Sequence, residues 1–273
     1  MLAAPPSCHN GGMELQRHLS PVGAPRGTVL LTHGLAEHQG RYRPFVDALT
    51  SAGYDAITFD LPGHGTAPGP RARVDIGRLI KDHVVLRQEA LEAARTPDLF
   101  LFGHSMGGLI TAASALLDGS RLRGVVLTGP ALRPNPPVVP RLARALLPAA
   151  RLLPGFPAAR LDAGLVSRTP EVVRAYLDDP LVTTGPVPLL TGVTMTVQGD
   201  QAIRNAAALR APTLILHGGA DGLARLEGSE AFVEAASGAE ITLRIVDGAY
   251  HEVLNEPEGP ALMQDIIAWM GRH

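Results

Sequence analysis

Residues Leu99 to Leu109 read Leu-Phe-Leu-Phe-Gly-His-Ser-Met-Gly-Gly-Leu, an apolar run that meets a knot of small residues and resumes as a helical pattern. The four apolar residues before the knot are strand-type, and Leu109 to Leu117 after it carries the composition of a buried helix. The knot itself, Gly103-His104-Ser105-Met106-Gly107, fits G-x-S-x-G, an elbow in which a strand turns so sharply into a helix that the serine hydroxyl is held at the tip in a strained backbone conformation. Glycine is needed two residues before and two after the serine, because a Cβ at either place collides with neighbouring backbone in so tight a reversal. Gly108 then lets the start of the helix lie close to the sheet. The five-residue pattern is weak by itself, since glycine and serine are common; the strand before it and the helix after it make it specific, and they single out Ser105.

The rest of the chain repeats the theme of short apolar strands followed by amphipathic helices. Met13 to Leu19 alternates well enough for an edge strand, Thr28 to Thr32 and Ala56 to Phe59 read as strands buried on both faces, and Gly124 to Thr128 as another. Pro44 opens a helix that Gly53 stops, and Asp75 caps a longer one carrying Ile76, Leu79, Ile80, Leu86 and Ala90. From Gly129 to about Val197 the pattern breaks. Half of the chain's 24 prolines lie between Pro130 and Pro188, no buried strand is evident, and two helical pieces stand out, Pro140 to Leu153 and Pro170 to Leu177. Regularity returns with the strand Thr213 to His217, a helix from about Glu227 to Ala236, the strand Ile241 to Val246 and a final helix from Pro260 to Met270. Such alternation predicts an α/β fold, a mostly parallel sheet covered by helices on both faces. Residues 1–129 and 198–273 are expected to form the core, and 130–197 a proline-rich helical cap inserted after the sixth strand. Residues 1–12 read as a loose leader.

Whole-chain numbers narrow the functional classes. With 273 residues, 45% hydrophobic and 18% charged, the chain is an ordinary globular protein at the upper size of one domain. A net charge of −2 gives no field to gather nucleic acid, so no nucleic-acid partner is expected. Cys8 is the single cysteine, which leaves no internal disulfide and no cysteine metal site and suits a reducing cytosol. No apolar run reaches the roughly 18 residues of a membrane span. The start, Met1-Leu2-Ala3-Ala4-Pro5-Pro6, lacks the basic residues and apolar stretch of a signal peptide, so a cytoplasmic location is expected.

In parallel sheets the chemistry gathers at the carboxyl ends of the strands, and the motifs of this chain all lie there. A serine hydroxyl needs a base, and the base needs a third group to fix its tautomer and stabilise its positive charge. His251 follows the last strand in Asp247-Gly248-Ala249-Tyr250-His251-Glu252 and is the candidate base. His217 also ends a strand, but the Gly218-Gly219-Ala220-Asp221 that follows is better suited to presenting Asp221 as the acid. Asp247 competes for that role from the same loop as His251, where a partner four residues away constrains an imidazole poorly. No acid follows the strand that ends Thr128-Gly129-Pro130. For an oxyanion, the backbone N–H groups of Met106 and Leu35 are the candidate donors, the latter in a loop that Gly34 frees to turn inward. His33, Glu37 and His38 invite a metal reading but lack a second ligand cluster. Asp60, His64 and Gly65 read as a loop packed beside the elbow, and His104 as a packed or hydrogen-bonded neighbour of Ser105.

Together, His33-Gly34-Leu35-Ala36-Glu37-His38 followed by Arg41-Tyr42, then Asp60-Leu61-Pro62-Gly63-His64-Gly65, Gly103 to Gly108, and Gly248-Ala249-Tyr250-His251-Glu252 resemble the monoacylglycerol lipase and lysophospholipase branch of the α/β-hydrolases. The resemblance covers most of residues 28–129 and 212–270. It implies a serine hydrolase that takes a small acyl ester, cleaving monoacylglycerols to glycerol and fatty acid through an acyl-serine intermediate, with neither metal nor organic cofactor. It assigns Ser105, Asp221 and His251 to the triad and Leu35 and Met106 to the oxyanion hole. It also implies a cap that contacts membranes or lipid surfaces, for which Leu142, Leu146, Leu147 and Leu153 are candidates. Some members of the branch carry a reactive cysteine after the acid; this chain has Gly222-Leu223-Ala224-Arg225. A carboxylesterase of short or aromatic esters, and a ligand receptor that has lost catalysis, are the competing readings.

Overall fold

The computed structural model describes residues 13–273; the expected leader over residues 1–12, with Cys8, lies outside them. The first half runs β1 (Gln16–His18), β2 (Thr28–Thr32), α1 (Arg43–Ser51), β3 (Asp55–Thr58), α2 (Ile76–Ala93), β4 (Leu99–His104), α3 (Ser105–Leu117) and β5 (Leu122–Thr128). It continues through α4 (Pro140–Leu152), β6 (Pro157–Ala159), α5 (Pro170–Asp178), β7 (Val187–Pro188) and α6 (Leu189–Arg204). The second half of the sheet follows with β8 (Thr213–Gly218), α7 (Leu226–Ala235), β9 (Ile241–Val246) and α8 (Gly259–Met270). A seven-stranded sheet has the order β1-β3-β2-β4-β5-β8-β9, parallel throughout except for β1, which pairs antiparallel with β3 at the edge. This is the α/β architecture expected from the alternation of strands and helices.

Each central strand is apolar along its length because it feeds two cores at once. Leu30, Leu99, Leu101, Val125, Leu127 and Ile215 face α2, α3, α6 and α7. Their alternating neighbours, Val29, Leu31, Phe100, Phe102, Val126, Leu214 and Leu216, face α1 and α8. The period of two therefore survives inside a continuous apolar run, divided between two buried faces. Asp75 caps α2 as expected, its carboxylate accepting from the Arg78 N–H at 3.3 Å.

The segment between β5 and β8 departs from expectation in three ways. Among the described residues only one strand precedes β2, so the insertion follows the fifth strand of the chain and not the sixth. It holds a small antiparallel ladder of β6 with β7, and β7 is buried. A single helix, α6, crosses position 197, where the insertion was expected to end. Its sequence, rich in threonine, valine and glycine, has low helix propensity, which hides it. Packing on α2, α3, α4 and α7 stabilises it instead, and its threonines turn inward: Thr194 donates to the Leu190 carbonyl at 2.7 Å and Thr191 accepts from the Val74 N–H at 2.9 Å. No described helix is long and apolar enough to cross a membrane.

Candidate active site

The parallel strands end on one edge of the sheet, and β4 ends in the elbow. Ser105 has φ +54°, a left-handed backbone for a residue with a Cβ, which costs on the order of 1–3 kcal/mol and holds the hydroxyl at the tip. The glycines around it are fixed by contact. A Cβ on Gly103 would stand 2.5 Å from Thr111 Oγ1 and 2.6 Å from the Gly107 carbonyl, and one on Gly107 would overlap the Thr32 and His33 carbonyls. A Cβ on Gly108 would meet Pro130 at 3.0 Å.

The loop after β9 brings His251 over the sheet edge, where its Nδ1 lies 2.7 Å from Asp221 Oδ2, contributed by the loop after β8. Asp247 is exposed and takes no part in this pairing. The other carboxylate oxygen, Asp221 Oδ1, accepts from the Leu223 and Ala224 N–H groups at 2.8 and 2.9 Å, so both oxygens are engaged. Ser105 and His251 border one cavity together with Leu35. Space at the centre is tight enough to require glycine at position 129, at φ +48°. A Cβ there would stand 3.1 Å from His251 Nδ1 and 3.2 Å from Asp221 Oδ2. Sequence reading did not single out Gly129; its signal was a glycine directly after the β5 strand.

Burial opposes ionisation of Asp221, but the facing His251, with His217 behind it, holds the carboxyl well below the usual carboxylate range. For His251 burial acts downward, and Asp221, Glu252 and Glu37 outweigh it, so the imidazole is raised above its ordinary value. His104, whose ring lies 4.7 Å from that of His251, is pushed down to about 4 by burial and by His251, and stays neutral at neutral pH. Its Nδ1 donates to the Thr128 carbonyl at 3.0 Å, the packed and hydrogen-bonded neighbour expected.

In the loop after β2, the Gly34 N–H is taken by Glu37 Oε1 at 2.6 Å, Ala36 adopts φ +67°, and the Leu35 N–H has no acceptor among the described residues. Met106 stands in the first turn of α3, where N–H groups have no intrahelical partner. The residues weighed for a metal turn their polar atoms to separate partners. His33 Nε2 accepts from the Leu61 N–H, His38 Nε2 pairs with Asp179 at 2.9 Å, and Glu37 serves Gly34, Tyr42 and Arg41. Asp60 holds its loop through the Gln39 and Thr66 N–H groups, consistent with a packed loop beside the elbow. What sequence reasoning missed here is the pairing of Arg41 with both Glu37 and Glu252, which ties the β2 loop to the loop bearing His251.

A strained serine elbow at the carboxyl end of a parallel sheet, with a buried Asp–His pair from the last two strand loops beside it, defines an α/β-hydrolase of the serine type. Residues 23–258 match the family described as serine aminopeptidase, S33. A monoacylglycerol lipase of Mycolicibacterium smegmatis is 36% identical over 255 residues, spanning 93% of this chain and 91% of that enzyme. Human monoglyceride lipase is 30% identical over 94% of this chain and 86% of its own length. The crystal structure of Paleococcus ferrophilus monoacylglycerol lipase superposes with a TM-score of 0.83 at 32% identity, over 94% of this chain and 98% of that one. The chain belongs to this hydrolase family, in its monoacylglycerol lipase branch.

Proposed function

We propose that the protein hydrolyses monoacylglycerols to glycerol and fatty acid, with Ser105 as nucleophile, His251 as general base and acid, and Asp221 as the group that orients and charge-stabilises His251. The observation that carries the reading is the 2.7 Å contact of Asp221 with His251 Nδ1, which leaves Nε2 as the basic nitrogen at the cavity that Ser105 borders. In the forward step Ser105 Oγ attacks the ester carbonyl as its proton passes to His251, and the oxyanion is received by the Leu35 and Met106 N–H groups. His251 then returns the proton to the departing glycerol oxygen, and water repeats the sequence on the acyl-serine. No step calls for a metal or cofactor.

We assign the part of residues 130–197 that precedes α6, residues 130–188, to a cap over this site. Leu161, Ala163, Val166 and Tyr176 from that segment close a cavity of about 50 Å³ above Ser105, well below the roughly 300 Å³ at which ligand pockets usually begin. An acyl chain therefore enters only when these residues move outward. The measurement that tests the substrate is kcat/KM for p-nitrophenyl esters of increasing acyl length beside 1- and 2-monoacylglycerols, with Ser105→Ala as the blank. Efficiency rising to about eight carbons or more and extending to monoacylglycerols is the expected result, since each buried methylene adds about 0.8 kcal/mol. Activity confined to acetate and butyrate would assign the chain to short-chain esters instead.

The same segment supports contact with a lipid surface. Leu142, Leu146, Leu152, Leu153 and Phe156 are exposed, Leu152 by 80%, while Arg141, Arg144 and Arg151 are the only charged residues of α4. A basic amphipathic helix of this kind lies in an anionic interface. Leu147 does not join that surface, being half-buried in a groove with Ile80 and Val197. Replacing Leu152 and Leu153 by aspartate is expected to abolish sedimentation with phosphatidylglycerol vesicles while leaving p-nitrophenyl butyrate turnover within two-fold (about 0.4 kcal/mol); undiminished sedimentation would refute the assignment.

A further inference from the structure

We infer that His217, which no step above uses, is a positioning residue for Asp221, and that Ser229 on α7 holds its ring in place. This rests on the reading of Asp221 as the acid of the triad. His217 is the penultimate residue of β8, and the side chains of His217 and Asp221, like residue Ser229, are fully buried.

Geometry fixes where the protons are. His217 Nε2 lies 3.0 Å from the Ala224 carbonyl, which can only accept, so Nε2 carries the hydrogen. Nδ1 is then the lone-pair nitrogen, and it accepts from the Ser229 hydroxyl at 2.8 Å. The N–H edge so defined also faces Asp221 Oδ2, 3.3 Å away, the oxygen that receives His251 Nδ1. His217 thus closes a ring of contacts: its N–H holds the Ala224 carbonyl, the Ala224 N–H holds Asp221 Oδ1, and the carboxylate plane is left pointing its second oxygen at His251. The opposite tautomer would place a lone pair against both the carbonyl and the carboxylate. The Ala224 carbonyl and the Asp221 carboxylate therefore fix this tautomer, and the Ser229 hydroxyl holds the ring against them.

The two roles, fixing the carboxylate and sharing its charge, predict a joint signature. Groups facing His251 are Asp221, Glu252, Glu37 and the His104 ring; those facing His217 are Asp221 and Ser229. With the N–H edge gone, Oδ2 carries more uncompensated charge toward His251, so the imidazole binds its proton more tightly. The acid limb of kcat/KM, which reports His251 losing that proton, moves to higher pH.

The experiment uses the full chain and p-nitrophenyl butyrate, so it does not depend on monoacylglycerol being the substrate. Ser229→Ala, which loosens the ring but leaves its N–H edge, is expected to lower kcat about five-fold with KM within two-fold and with little movement of the acid limb. His217→Leu, checked for folding by its thermal transition, is expected to lose at least thirty-fold in kcat with KM within two-fold and to displace the acid limb upward by roughly 0.3 pH unit or more, and His217→Gln, whose amide can return an N–H to the Ala224 carbonyl, to recover most of kcat. Should His217→Leu fail to fold, Ser229→Ala and His217→Gln decide. A folded His217→Leu enzyme with unchanged kcat and an unmoved limb, or, where it does not fold, a Ser229→Ala enzyme with unchanged kcat, overturns the inference, provided Asp221→Asn is inactive. Full activity in Asp221→Asn would show instead that the triad assignment has failed.

Discussion

Ser105→Ala and His251→Ala are each expected to lower kcat by about 10⁶-fold, and Asp221→Asn by about 10⁴-fold, judged from the behaviour of serine triads generally. At about 1.4 kcal/mol per factor of ten the first loss is roughly 8 kcal/mol of transition-state stabilisation. The order follows from what each change removes. Without Ser105 no acyl-enzyme forms, and without His251 the hydroxyl keeps its proton at neutral pH. Asn in place of Asp221 still accepts from the Leu223 and Ala224 N–H groups, so geometry survives, but it supplies no negative charge to a protonated His251. On the proposed assignment, any residual turnover is expected to come from the Leu35 and Met106 donors and from binding. The measurement is kcat and KM on a p-nitrophenyl ester, with fluorophosphonate labelling that must disappear in Ser105→Ala. Persistent labelling of that variant, or full activity in Asp221→Ala, would displace the assignment, in the second case toward Asp247.

The elbow was legible because steric demand writes itself into sequence: two contacts that exclude a Cβ require Gly103 and Gly107, and the flanking apolar runs declare strand and helix. The buried strands were legible for a related reason, since feeding two cores confines polar residues largely to the strand ends, as at Thr28, Thr32 and Thr128. The identity of the acid was less so. A strand-end aspartate and a loop aspartate differ only in direction, and the direction of Asp221 comes from the Leu223 and Ala224 N–H groups and from β8 running on through His217 and Gly218 past its last pair with β5, Thr128↔Leu216. The cap was read least well. Helix α6 is rich in threonine, valine and glycine, which are poor helix formers, and is held by tertiary contacts, while β6 and β7 are too short to show a period. Roles that depend on tautomers, as for His217, have no sequence signature, because the partners Ala224 and Ser229 are unremarkable residue types.

Removal of the Arg41 guanidinium should destabilise the fold more than any other single loss of charge near the site. Arg41 bonds Glu37 at 2.8 Å and both oxygens of Glu252 at 2.5 and 2.8 Å, beneath the Tyr176 ring at 4.7 Å, with all three charged side chains nearly buried. Such a cluster is weak grounds for net stability, but deleting one partner strands the others: Arg41→Met leaves two buried carboxylates and is expected to cost about 3–5 kcal/mol. For a chain of this length that is a fall of roughly 6–20 °C in thermal midpoint. The pH dependence separates charge from packing. Burial raises the Glu37 carboxyl, but Arg41 first, then His104 and His33, more than reverse this and hold it at about 2, below its ordinary 4.5. In the wild type this group contributes stability that is fully present above the unfolded value and is lost as pH falls toward 2. In Arg41→Met burial is no longer opposed by the arginine, so the Glu37 carboxyl rises and protonating it relieves the unpaired charge. The deficit relative to wild type must therefore shrink as pH falls from 7 to 4, as read from thermal midpoints at each pH. Replacing Glu37 and Glu252 by glutamine in the same variant should restore part of the loss at pH 7. A deficit constant across that range, unrelieved by the glutamines, would mean that the guanidinium acts only by filling space under Tyr176.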